Sequence, residues 1–105
     1  MRLKNKAAIL TGCGSGIGEA VSHRFAMEGA KCILADINGE HAKKVALEIN
    51  NKGGIAHSIQ MDVRIPNDRF KTIDLCLKKF LKIDIWLWNS MKIIVDWFVG
   101  VRYVF

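Results

Sequence analysis

"TGCGSGIGEA", residues 11–20, places glycines at 12, 14, 16 and 18. Glycine inside a helix or strand costs about 0.5–1 kcal/mol relative to alanine. Such a run is retained where the backbone must pass through space that a side chain would fill. The run is flanked by "KAAILTG" (6–12), which reads as a short buried strand. It is followed by "IGEAVSHRFAMEG" (17–29), which reads as a helix with Ile17, Ala20, Val21 and Phe25 on one stripe. A helix N-terminus carries unpaired N–H groups and a partial positive charge. A phosphate docks there when no side chain intervenes. Gly12 allows the tight turn out of the strand, Gly16 the approach of a pyrophosphate, and Gly18 close packing of the helix on the sheet. The spacing is T-G-x-x-x-G-I-G rather than G-x-G-x-x-G, so a plain flexible turn competes until the context is read.

That context is a regular alternation. "KCILAD" (31–36) is a second strand, ending in an acid. Asn38 caps a helix whose Ala42, Val45, Ala46 and Ile49 fall at i, i+3, i+4, i+7, and "NNKGG" (50–54) ends it. "IAHSIQMDV" (55–63) is the third strand. Pro66 suits the first turn of a third helix, with Phe70, Ile73, Leu77 and Phe80 as its apolar stripe. "IDIWLW" (83–88) is the fourth strand, apolar enough to be buried on both faces. The order β-α-β-α-β-α-β predicts an α/β protein with a parallel sheet and crossover helices. Residues 1–90 are expected to form a Rossmann-type half domain, and 91–105 a divergent apolar tail whose conformation, helix or strand, is left open.

Composition narrows the classes. The net charge is +6, but the sixteen Lys and Arg are scattered. A nucleic-acid surface clusters its charge on one face, so no nucleic-acid partner is expected. Three cysteines without a C-x-x-C spacing fit free thiols in a reducing compartment. With the first apolar run starting at Ala7, a cytoplasmic location is expected. The histidines at 23, 41 and 57 are too dispersed in sequence for a metal-ligand pattern. The apolar stretch 85–105 is broken by Asn89, Lys92, Asp96 and Arg102. Central charges oppose insertion by about 2.5–3.5 kcal/mol each, so no membrane span is expected.

Asp36 ends the second strand about 20 residues after the glycine turn, where a dinucleotide fold places its ribose-binding carboxylate. A carboxylate accepts from the ribose 2′-hydroxyl and repels a 2′-phosphate. Ser15 and Ile37 supply no cation. NAD is therefore expected in preference to NADP. A solvated strand-end Asp is the competing reading.

With these residues in view, residues 2–85 resemble the N-terminal part of a short-chain dehydrogenase/reductase. The match lies in "LKNKAAILTGCGSGIGEAVSHRFAMEGAKCILADIN", in "QMDVRIPNDRF" and in "KIDI". The resemblance implies a partial doubly wound Rossmann fold with strand order 3-2-1-4. It implies that Ser15 and Ile17 contact the phosphate and nicotinamide side of the cofactor. It further implies that Asp62 hydrogen-bonds the adenine amino group and that Val63 gives a backbone contact to the ring. By chemistry alone, Asp62 could instead cap the loop before the third helix. Ile65 stands where the family often has a polar capping residue.

The pattern departs after residue 85. "WLWNSM" (86–91) stands where the family has N-N-A-G, with Asn89 on the second Asn position and Trp88 on the first. The family's proton donor is a Tyr in Y-x-x-x-K, assisted by a Ser. A tyrosine with an ordinary pKa of about 10 needs such a neighbouring cation to work near neutrality. The single tyrosine, Tyr103, has no Lys at i+4, and Ser90 falls too early in the chain. No catalytic residue is assigned. The expected function is that of the NAD(H)-binding segment of an oxidoreductase that interconverts alcohols and carbonyls, truncated and inactive alone. The alternative is a genuine short isoform acting as a non-catalytic nucleotide- or partner-binding module. The fourth strand is expected to be an exposed sheet edge that permits self-association.

Overall fold

A computed structural model describes residues 2–12 and 16–87. Four strands, β1 (Ala7–Thr11), β2 (Lys31–Asp36), β3 (Ile55–Gln60) and β4 (Ile85–Leu87), form one parallel sheet in the order β3-β2-β1-β4. Three helices cross between them: α1 (Gly16–Met27), α2 (Gly39–Asn51) and α3 (Pro66–Phe80). The expected element order and strand order are both present. Three strands are shorter than the sequence predicts: β1 and β4 begin one and two residues later than predicted, and β3 ends at Gln60, before the loop that carries Asp62.

The centre of the sheet is buried on both faces because β1 and β2 lack a polar face, whereas the outer strand β3, with His57, Ser58 and Gln60, is only partly buried. Every residue of β1 is buried, as are Cys32 to Ala35 of β2. Successive side chains point to opposite sides. Ala8, Leu10, Cys32, Leu34, Ala56 and Ile85 meet Ala42, Val45, Ala46 and Ile49 of α2, with Phe25 and Ala26 of α1 at the margin. Ala7, Ile9, Ile33 and Trp86 meet Cys76 of α3, flanked by Ile73, Leu75 and Phe80. Each fully buried Ile or Leu contributes about 1.5–3 kcal/mol of transfer free energy. Two helices thus cover one face and one helix the other, as right-handed crossovers require.

Helix α2 is buried along the stripe the sequence predicts. Asn38 caps it, its side chain accepting from the His41 N–H at 3.1 Å. Helices α1 and α3 differ. In α1 the buried residues are Gly18 and Ser22, and Ile17 is 66% exposed. The Ser22 hydroxyl donates to the Gly18 carbonyl at 2.8 Å, so a polar residue sits at the interface with its hydrogen bond satisfied. In α3 the buried residues are Thr72 and Cys76, with the Thr72 hydroxyl donating to the Asp68 carbonyl. Phe70 and Leu77, expected on the packed stripe, are 66% and 44% exposed. Small side chains let the helix backbone approach the sheet, and that proximity turns the larger apolar residues away from the interface.

The helix ends are also specific. Despite the apolar Ile65 at its N-cap, α3 begins at Pro66. Asp68, one turn in, reaches back to accept the Asp62 N–H at 3.0 Å. At the other end Leu81 adopts φ 66°, a left-handed conformation that normally favours glycine. Asp84 then closes the amino end of the sheet: its carboxylate accepts the Ala7 N–H at 2.9 Å and pairs with Lys82 at 3.1 Å. The Nε1–H of Trp86 is buried without an acceptor among the described residues.

Candidate functional site

In a parallel sheet every strand points its carboxyl end the same way, so the loops that leave those ends gather along one edge. Gly12 follows β1, Asp36 ends β2, and Asp62 and Val63 follow β3. The sheet places β2 and β4 on opposite sides of β1. The chain therefore reverses its winding direction at β1, and this is where α/β sheets open a crevice. Thr11 marks the point: its buried hydroxyl donates to the Leu87 carbonyl at 3.2 Å, joining β1 to β4 at the carboxyl edge.

Of the glycine turn, Gly12, Gly16 and Gly18 are among the described residues. Gly12 has φ 69°, open to glycine without strain, and its N–H donates to the Ala35 carbonyl at 3.0 Å. Gly16 is the first residue of α1, and among the described residues a Cβ built there meets no atom within 4 Å. Gly18 is buried. Ser15 and Asn89 lie outside the described residues, as do Cys13, Trp88, Ser90 and Tyr103.

Asp36 sits at the end of β2, where its carboxylate accepts the Asn38 N–H at 2.8 Å. That bond shapes the turn into α2. Ile37 beside it is 59% exposed. Gln60 of β3 donates from its side-chain amide to the Ile37 carbonyl at 3.1 Å. Gly39 is required here, since a Cβ would lie 2.9 Å from the Gln60 Cβ. An open groove of about 420 Å³ runs along these residues, lined by Ile37, Gly39, Lys43, Ser58 and Gln60 among others.

Asp62 is held more firmly than its sequence suggests. Its Oδ1 accepts from the Arg64 N–H at 2.9 Å and from Arg64 Nε at 3.0 Å, and its Oδ2 accepts from the same guanidinium at 2.7 Å. The Arg64 side-chain bonds, then its backbone N–H, hold the carboxyl down at about 2. The Val63 carbonyl accepts from the Arg69 guanidinium. A ring contact from Val63 would therefore come through its N–H. Sequence reasoning missed Arg64, Asp68 and Arg69, the three residues that shape this loop. An acid at the third helical position, Asp68, was the available signal, since acids there reach back to satisfy N–H groups at helix starts.

What the edge offers is consistent in chemistry: a helix N-terminus with open space at Gly16, a carboxylate at the end of β2, and two exposed isoleucines. The residues present fit a dinucleotide, whose pyrophosphate needs the first, ribose hydroxyls the second and flat rings the third.

Comparison with known proteins gives the same direction. The sequence model of the short chain dehydrogenase family matches residues 6–92. The chain is 36% identical over 90 residues to a 7alpha-hydroxysteroid dehydrogenase of Escherichia coli, covering 86% of this chain and 35% of that one. It is 50% identical over 62 residues to a 2,5-dichloro-2,5-cyclohexadiene-1,4-diol dehydrogenase of Sphingobium indicum, covering 59% of this chain and 25% of that one. A crystal structure of a hydroxysteroid dehydrogenase from Escherichia coli superposes with a TM-score of 0.80 at 36% identity, over 83% of this chain and 37% of that one. The chain thus spans about a third of the length of these relatives or less.

Proposed function

This chain belongs to the short chain dehydrogenase family, and from that membership we propose that residues 1–90 are the NAD(H)-binding unit of an oxidoreductase that interconverts alcohols and carbonyls. The observation that carries the reading is Gly16. Packing among the described residues gives no reason for glycine there, whereas a phosphate approaching the N–H groups of α1 does.

In this reading Gly12 turns the chain out of β1, and Ser15, Gly16 and Gly18 form the phosphate cradle. Ile17 lies on the nicotinamide side. Asp36 accepts from the ribose hydroxyls, and its charge opposes a 2′-phosphate, which favours NAD over NADP. Ile37 flanks the adenosine. Asp62 accepts from the adenine amino group with the lone pairs Arg64 leaves available, the Val63 N–H faces the ring, and Asn89 is a further cofactor-binding candidate. Bound there, the nicotinamide accepts or supplies a hydride. No Y-x-x-x-K pair lies within these 105 residues. The 105-residue chain is therefore expected to bind cofactor without turning over.

A second reading, a non-catalytic nucleotide- or partner-binding module, is favoured by the sheet edge. Among the described residues β4 pairs only with β1, so its outer edge could accept a strand.

Titration of the chain with NADH and NADPH tests the proposal. NADH is expected to bind more tightly, and Asp36→Ala to weaken NADH about tenfold while narrowing the preference. A folded chain that binds neither nucleotide, or prefers NADPH, overturns it. NADH-dependent reduction of a carbonyl by the 105-residue chain, lost in Asp36→Ala, would overturn the expectation of no turnover.

A further inference from the structure

The histidines that are dispersed in sequence converge in space. Glu19 and His23 lie four residues apart on α1, so they share a face. His41 and Glu48 lie seven apart on α2, also on one face. The two faces meet where α1 and α2 run side by side on the sheet. His23 Nε2 lies 3.3 Å from Glu48 Oε1, and His41 Nε2 lies 3.5 Å from Glu19 Oε1. The ligand atoms of Glu19, His23 and Glu48 all fall within 4.8 Å of one another. All four side chains are part-buried, between 21% and 40% exposed.

We propose that Glu19, His23, His41 and Glu48 form a site for a divalent transition metal of the zinc class, which ties α1 to α2. Zinc takes imidazole nitrogen and carboxylate oxygen at about 2.0–2.2 Å in a tetrahedron, which sets neighbouring ligands about 3.3–3.5 Å apart. The two His–Glu pairs already have that spacing. His41 lies outside the mutually close group of Glu19, His23 and Glu48 and joins it through its contact with Glu19. Two carboxylates and two neutral imidazoles balance a 2+ ion. The site uses none of the residues assigned to the nucleotide, so its success or failure is separable from that reading.

The test uses the full 105-residue chain, stripped with a chelator and titrated with Zn²⁺ against a chromophoric competitor. Co²⁺ substitution reads the geometry through its visible absorption. The expected result is one Zn²⁺ per chain with a tetrahedral nitrogen and oxygen cobalt spectrum. Tm should rise by roughly 10 °C at a hundredfold excess over Kd. His23→Asn and His41→Asn are each expected to weaken binding at least tenfold while leaving the far-ultraviolet circular dichroism unchanged. Should either histidine variant fail to fold, Glu19→Gln is read instead, with the same loss expected. Absence of zinc binding overturns the proposal. So does binding that survives in a folded variant, or a cobalt–thiolate band that assigns the metal to cysteine.

Discussion

At Gly16 a methyl group would sit in open space, and the backbone there is not left-handed. Gly16→Ala is therefore expected to raise stability by about 0.4–1 kcal/mol, by restricting the unfolded chain. The same methyl group would occupy the approach of a phosphate. NADH affinity is expected to fall at least tenfold while the melting temperature rises, and unchanged affinity would remove the phosphate role. Asp62 carries a second residue-scale consequence. Its ordinary value is 3.8 and Arg64 holds it at about 2 in the folded chain. A depressed carboxyl contributes stability that is complete above about pH 5 and lost as pH falls toward 2. Thermal melts of the parent and of Arg64→Ala are expected to differ above pH 5 and to converge near pH 2. Asp84 adds to the acid sensitivity of both: burial works against its charge, but the Ala7 N–H and the Lys82 ammonium outweigh it and hold the carboxyl below its usual range.

Among the elements, α2 was legible from its sequence and α1 and α3 were legible only in part. In α2 the residues at 42, 45, 46 and 49 are small or apolar and the rest are mostly polar, so one face alone can be buried. In α1 and α3 apolar residues occur around much of the circumference. Periodicity then selects the largest side chains, while close approach to the sheet selects the smallest, Gly18 and Ser22 or Thr72 and Cys76. The C-terminal end of α3 carries its own test. Leu81 is left-handed and 86% exposed, so it contributes little packing and strains its backbone by about 1–2 kcal/mol. Leu81→Gly is expected to stabilise the chain by up to about 1 kcal/mol in chemical denaturation, against the usual direction for glycine.

For the molecule as a whole, two cores lie back to back across one sheet, and each holds a cysteine. Cys32 is buried on the α1–α2 side and Cys76 on the α3 side. Burial pushes both thiols up to about 12. At pH 8 both are expected to resist alkylation while the fold is intact, and to react together when denaturant opens the sheet. Mass spectrometry of the labelled peptides reads each face separately. Labelling of Cys76 well before Cys32 would mean that α3 leaves the sheet independently. Among the described residues no helix is long and apolar enough to cross a membrane.

The amino-acid sequence alone determined the alternation of strands and helices, the cap at Asn38, the tight turn at Gly12 and the acid that ends β2. These follow from local signals: hydrophobic period, glycine's backbone freedom and side chains that bond within a few residues of themselves. Tertiary structure alone decided which faces of α1 and α3 are buried, that Arg64 occupies the Asp62 carboxylate, and that Glu19 and His23 of α1 meet Glu48 of α2. Those outcomes depend on how closely each helix backbone approaches the sheet and at what rotation. Both are set by contacts between residues far apart in the chain, which no local pattern encodes.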